Sequence, residues 1–398
     1  MRSYERRVDA TGSSDLEGEM QTAVTVHLPD ALTGPATIFF AWPGGGFGRR
    51  YFDVQAVPGY SQAAFHTESG DVFVSCDHLA TGDSTHPEDV LSLTYEQLAA
   101  ANHATAVAIL DQLRSGTFEP EIPAIDVRAA IGMGQSMGGC LLTVQQANHR
   151  TFDGVAFLGW SGIFTNFPFP DGTRVTYPMP PRGTDLVPIA DQVLGVVAPN
   201  EEQYRFCFHY PGEDPALVEP DLASYRPYTG IVRGDERTPW GSATTPPCAI
   251  TMMTDGVVAA EAAAIDVPVF VGCGERDTVP DPWAEPTAYR RSTEITISVI
   301  REMAHMHNFA RTRAQLWHRL ANFAAGLNQV ATGTDLAHFE LFASGHEPGR
   351  RARVRASTPS RSCAMASRTS GGGSPQSRSS RPRTAESAIW LATSSAVR

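Results

Sequence analysis

Gly134-Gln-Ser136-Met-Gly138 sets a serine between two glycines. An apolar run, residues 127–133, precedes it, and residues 141–147 after it read as helix. A serine on a sharp turn between a buried strand and a helix is forced out to where a substrate reaches it. The glycines suit such a turn because a Cβ at either position would collide with the neighbouring strand or helix. An alcohol is a poor nucleophile near neutral pH, so Ser136 needs a general base and a carboxylate to orient that base. Two later stretches offer both kinds of group. Gly274-Glu-Arg-Asp277 follows the apolar run 267–273, with Asp281 close behind. Arg301-Glu-Met-Ala-His305-Met-His307 follows the run 294–300. Asp277 competes with Glu275 and Asp281 for the acid, and His305 with His307 for the base.

The elements that must position these groups read as alternating strands and helices. Residues 21–29 alternate like an early strand, and 36–42 form a fully apolar run that leads into Pro43-Gly-Gly-Gly-Phe-Gly48. Further strands are expected at 71–76, 127–133, 154–160, 267–273 and 294–300. Thr94 and Gln97 form a capping-box pair, with Leu93 and Leu98 as a hydrophobic staple. Leu98, Ala101, Ala106, Ile109, Leu110 and Leu113 then share a helix face that Val107 leaves. A last helix is expected over 312–327. Single strands alternating with helices predict a parallel α/β sheet. In such a sheet Ser136, the acid-bearing stretch and the histidine-bearing stretch all fall at the carboxyl ends of strands, where residues distant in sequence converge. The rhythm stops over 161–262, a stretch rich in Pro, Tyr and Phe that reads as a lid. His78 and Asp83 read as turn residues.

Over about residues 20–330 the sequence resembles the α/β-hydrolase superfamily, with serine, acid, histidine and glycine loop in the family's order. The resemblance implies a mostly parallel eight-stranded sheet with helices on both faces. It also implies a Ser136–His305–Asp277 triad and no cofactor. Asp277 sits where the family's acid falls, and His305 follows its strand at the family's usual distance. The implied oxyanion donors are the backbone N–H groups of Met137 and of Gly45, with Gly46 or Phe47 next. Pro43 stands where related esterases and lipases carry a histidine, a departure that bears on the hole's shape. Trp160, Ser161, Phe47 and His307, with the lid aromatics Phe167, Tyr177 and Phe208, are candidate pocket residues.

The expected domains are a core of 1–160 and 263–330, the lid 161–262, and a tail, 345–398. All 31 basic residues are arginine. Ten of them fall in the tail against 2 acids, leaving about −20 on residues 1–344. A body that acidic argues against nucleic acid or an anionic membrane as partner. The aromatic lid favours a small-molecule substrate with an apolar or aromatic part. The Arg/Ser/Ala/Gly-rich tail cannot bury enough apolar surface to order itself. Six cysteines without C-x-x-C spacing suggest neither a disulfide framework nor zinc. No third ligand cluster accompanies His305 and His307, so no metal is expected. The N-terminal residues show no apolar signal region, and a cytoplasmic location is expected. The expected activity is hydrolysis of an ester, thioester, lactone or amide through an acyl-enzyme. The alternatives are acyl transfer, carbon–carbon bond hydrolysis, or a non-catalytic binding role on the same fold.

Overall fold

Residues 1–176, 179–191, 201–225 and 238–331 are described in the computed structural model of the chain. Its strands are β1 (Arg2–Asp9), β2 (Gln21–Leu28), β3 (Ala36–Trp42), β4 (Val72–Cys76), β5 (Val127–Gln135) and β6 (Gly154–Leu158). The short hairpin strands β7 (Phe167–Pro168) and β8 (Arg174–Val175) follow, then β9 (Val269–Gly274) and β10 (Ile295–Ile300). Eight of these form one sheet in the order β1-β2-β4-β3-β5-β6-β9-β10. Strand β2 runs antiparallel to β1 and β4, and every other neighbouring pair is parallel.

Seven of the eight strands are those the apolar runs predict. The eighth, β1, is an edge strand of sequence RSYERRVD, whose charges conceal it from a hydrophobic reading. Its half-buried Tyr4 meets the Phe118 ring edge-on at 5.6 Å.

The central strands are buried on both faces, and successive side chains alternate between two cores. Ile38, Phe40 and Trp42 of β3 face one core together with Leu98, Ile109 and Leu113 of α2 (Tyr95–Ser115), where α1 is Gln62–Glu68. Leu141 of α3 (Met137–His149) joins the same core. Phe39 and Ala41 face the other. The capping box of Thr94 and Gln97 starts α2, and Val107 points to solvent.

Between β6 and β9 lie the β7–β8 hairpin, α4 (Glu201–Phe208), α5 (Pro215–Tyr225) and α6 (Ala259–Ala264). The last helix, α7 (Arg313–Ala331), packs with α1 on the second face. Among the described residues no helix is long and apolar enough to cross a membrane. Tyr177 and residues 345–398 lie outside the described residues.

A buried arginine anchors the loop that leaves β3. The Arg49 backbone N–H donates to Asp77 Oδ1 at 2.6 Å, and its guanidinium meets Asp77 Oδ2 at 2.6 Å and Asp83 Oδ2 at 2.7 Å. Arg49 Nε adds a bond to Thr25 on β2. The turn after β4, which carries Asp77 and Asp83, is therefore an ionic clamp on the glycine loop. Removing the cation strands the fully buried Asp77 carboxylate. Arg49→Met is expected to destabilise the fold by about 3–5 kcal/mol. Urea unfolding checks this, and Asp77→Asn in the same background should recover part of the loss.

Candidate active site

Strand β5 ends at Gln135 and α3 begins at Met137, so one residue, Ser136, makes the turn. Its φ is +51° and ψ −116°, a conformation that costs a non-glycine residue about 1–3 kcal/mol. Close backbone approach holds it there. A Cβ at Gly138 would stand 2.3 Å from the Trp42 carbonyl oxygen at the end of β3. Ser136 N–H donates to Leu158 O at 2.8 Å, tying the turn to β6. Ser136 is half-buried among buried neighbours.

The glycine loop after β3 lies against the serine. A Cβ on Gly44 would come within 3.0 Å of Ser136 Cβ. Several bonds shape this loop. Gly46 N–H donates to Thr245 Oγ1 at 2.8 Å, Gly48 N–H to Trp240 O at 2.9 Å, and Ser242 N–H to Gly46 O at 2.9 Å. The N–H groups of Gly45 and Met137 have no partner among the described residues. With Met137 at the positive end of α3, these two donors are disposed for an anion.

His78, read as a turn residue, takes part in this loop's support. Its Nε2 lies 3.2 Å from Pro43 O, and Asn102 lies on its Nδ1 at 3.0 Å. Burial pushes its imidazole down to about 4, so it is neutral and can donate one N–H to Pro43. A histidine directly after a strand end was the available signal in the sequence.

Asp277, three residues after the end of β9, is fully buried, and its carboxylate accepts five hydrogen bonds, one of them from Thr278 Oγ1 to Oδ1 at 3.4 Å. Oδ1 takes His305 Nδ1 at 2.7 Å and Thr278 N–H at 2.7 Å. Oδ2 takes His307 Nε2 at 2.6 Å and Gly274 N–H at 2.8 Å. Burial works to raise its pKa, but the two facing histidines outweigh it and hold the carboxyl well below the usual range. The competing acids stand elsewhere. Asp281 caps a 3-10 turn by accepting Trp283 N–H, and Glu275 accepts the Tyr210 hydroxyl.

His305 presents its other nitrogen, Nε2, to the Gln135 side chain at 3.4 Å, directly before Ser136. Gln135 Nε2 also donates to the His305 carbonyl at 3.1 Å. Ser136 Oγ makes no hydrogen bond to His305 or to any other described residue. The place beside the histidine ring is kept open by Gly159 at φ +59°, where a Cβ would meet His305 Nδ1 at 2.9 Å.

The structure thus brings Ser136, Asp277, His305, His307, Gly45 and Met137 to one edge of the sheet. It places other candidates differently. Phe47 is buried in the second core, 5.4 Å edge-on from Tyr51, and Trp160 is buried against Gly139. The Ser161 hydroxyl is spent on Glu285, which also accepts Gly162 N–H at 2.9 Å. Phe208 of α4 does face the site, with its ring edge-on to His305 at 5.0 Å, and half-buried Phe167 lies 6.0 Å from Phe208. Among the described residues no cluster of three or more histidine, cysteine or acidic side chains is arranged for a metal ion.

No protein-family model matches the sequence, and no curated protein matches it. Solved structures do. The bromoperoxidase from Bacillus anthracis has a TM-score of 0.51 at 15% identity, covering 80% of this chain and 99% of that one. The proline iminopeptidase of Mycobacterium smegmatis has a TM-score of 0.52 at 14% identity, covering 82% and 100%. A thermostable carboxyl esterase from Bacillus coagulans has a TM-score of 0.52 at 16% identity, covering 82% and 99%. The chain has the α/β-hydrolase fold.

Within this fold, the segment between β6 and β9 is bonded to the histidine-bearing loop. His305 N–H donates to Cys207 O at 3.1 Å and Met306 N–H to Phe208 O at 2.9 Å, both carbonyls at the end of α4. The next residue, His209, is buried between Glu213 at 3.1 Å and Asp221 at 3.1 Å, and its ring stacks on Phe309 at 5.8 Å. Burial works to lower its pKa, but the hydrogen bonds and charges of Asp221 and Glu213 outweigh it and raise the imidazole to about 9. A folded value above the unfolded one stabilises fully below the unfolded value of about 6.5 and is lost as pH rises through about 9. The stability difference between wild type and His209→Gln, read by urea unfolding, is therefore expected to shrink by on the order of 3 kcal/mol between about pH 6 and about pH 10.

Proposed function

We propose that the chain is a serine hydrolase acting on a carboxylic ester or a related acyl compound. The observation that carries this reading is the elbow: Ser136, held at positive φ, with the unpaired N–H groups of Met137 and Gly45 beside it. The short Asp277–His305 contact on the same edge supports it. So do the printed activities of similar structures, an esterase and a peptidase among them.

Ser136 Oγ attacks the acyl carbonyl as its proton passes to His305 Nε2. Asp277 accepts from Nδ1, which fixes the tautomer and stabilises the imidazolium that forms. The carbonyl oxygen becomes an oxyanion and takes the N–H groups of Met137 and Gly45, each worth roughly 3 kcal/mol of barrier. The tetrahedral intermediate collapses, the leaving group takes the proton from His305, and water repeats the sequence to free the acid. The bond between a nucleophile and its base commonly tightens only in the complex with substrate, so the step requires the Ser136 hydroxyl to turn to His305 Nε2 as the acyl group binds.

The segment 161–262 is the lid of this reading. Phe208 beside the base and Phe167 beyond it favour a substrate with an apolar or aromatic part.

Two measurements test the proposal. Ser136→Ala should stay folded and lose more than about 10³-fold of 4-nitrophenyl ester hydrolysis, together with labelling by a fluorophosphonate. Full retained activity would exclude the mechanism. Phe208→Ala should raise KM for an ester with an aromatic acyl group by about threefold to tenfold, while barely changing KM for an acetate.

A further inference from the structure

We infer that His307 is a positioning residue for the base: it holds the second oxygen of Asp277 so that the first stays aimed at His305. This rests on the serine-hydrolase reading of Ser136, His305 and Asp277.

The geometry is that of one carboxylate between two imidazoles. His307 Nε2 stands 2.6 Å from Asp277 Oδ2, while His305 Nδ1 stands 2.7 Å from Oδ1. An ionised carboxylate accepts only, so the proton between His307 and Asp277 sits on Nε2 of His307. The other nitrogen, Nδ1 of His307, is buried with no partner among the described residues. A buried polar atom left unpaired costs free energy, and a site tolerates it where the group is held for another purpose. His307 is thus a donor to Asp277 and is closed to substrate and solvent. The two histidines are therefore not interchangeable. His305 turns its second nitrogen toward the residue beside Ser136, and His307 turns its own into the protein.

The donor on Oδ2 acts together with the Gly274 N–H on the same oxygen. It stops the carboxyl from rotating about its Cβ–Cγ bond, which keeps Oδ1 on Nδ1 of His305 and so stabilises the imidazolium. Other charged or titratable groups face the same carboxylate. Arg174 of β8 donates to the Asp277 carbonyl at 2.9 Å. The Cys207 and Cys273 thiols and the Tyr51 phenol face it as well, all three held protonated by burial. Arg174 acts on the backbone carbonyl, so the side-chain oxygens are left to the histidines, Thr278 and Gly274.

The test compares His307→Leu, which removes the donor, with His307→Gln, whose amide nitrogen reaches as far as Nε2. Initial rates of 4-nitrophenyl butyrate hydrolysis are measured across pH, with Ser136→Ala as control. His307→Leu should lower kcat by about tenfold to a hundredfold, the worth of one hydrogen bond to a charged group, with KM unchanged. Its acid limb should move to lower pH, because a carboxylate that turns away from Nδ1 stabilises the imidazolium less. His307→Gln should restore most of kcat and return the limb. A residue that merely supports the fold would lower the yield of folded protein without moving the limb.

The His305 ring is also titrated directly by NMR of 15N-histidine protein, with its signal assigned through His305→Gln. That midpoint should move down in His307→Leu and return in His307→Gln. An unmoved midpoint and limb in folded His307→Leu would overturn the inference. If Ser136→Ala keeps full hydrolysis, the serine-hydrolase reading fails, and the NMR midpoint still decides what His307 does to His305. Should His307→Leu not fold, His307→Asn takes its place, since its amide is too short to reach Oδ2. Equal midpoints in the Asn and Gln variants would then overturn the inference.

Discussion

The close approach of α3 to the end of β3 is the constraint on which the rest of the site depends. With Gly138 under the Trp42 carbonyl, no side chain fits between helix and strand. The chain must then turn from β5 into α3 within one residue, and Ser136 takes a positive φ to do it. That turn sets three things together. The hydroxyl is lifted out of the sheet, the first free N–H of the helix points beside it, and the glycine loop is brought against the serine Cβ. A looser contact would relax the serine and separate it from both donors. The strain at Ser136 is held in place by two cores that bury β3 and β5 on both faces.

The elements around that turn are held from several directions. His78 and Asn102 support Pro43 from within the fold, and Arg49 clamps the far end of the glycine loop to Asp77. From the other side, Trp240, Ser242 and Thr245 bond to the same loop, and Cys207 and Phe208 bond to the loop of His305. The glycine loop of this chain begins at proline, and an imidazole, that of His78, reaches the Pro43 carbonyl from the turn after β4. Different residues thus supply support at a place where backbone N–H groups must stay free and fixed.

Much of this was legible in the sequence, for physical reasons that also mark where legibility ends. Doubly buried strands such as β3 and β9 write themselves as apolar runs, and seven of the eight sheet strands are visible in the sequence that way. Strand β1 was not, because an edge strand carries charge to discourage pairing, so Arg and Glu mask its alternation. The elbow's glycines were readable because backbone contact excludes every other residue type. Roles set by a partner distant in sequence were not. Nothing local to His78 announces Pro43, nothing near Asp83 announces Arg49, and the sharing of Asp277 by two histidines appears only when β9 and β10 lie side by side. Phe47 and Trp160 stand close in sequence to the site, and the structure buries both large rings in the cores.

The way the segment between β6 and β9 is attached bears on how selection and chemistry are linked. A lid hinged at its two ends moves without disturbing the residues beneath it. The described parts of this segment instead bond to both loops: Ser242 donates to the glycine loop, Trp240 and Thr245 accept from it, and Cys207 and Phe208 accept from the histidine loop. His209, charged between Glu213 and Asp221, fixes the end of α4, whose carbonyls carry the backbone of His305 and Met306. A shift of α4 would therefore move Phe208, which faces the base, together with the base itself. In such an arrangement a substrate that displaces Phe208 also displaces His305, so a poor fit lowers kcat as well as raising KM. The specificity of this site is then written in the rate of its chemical step as much as in binding.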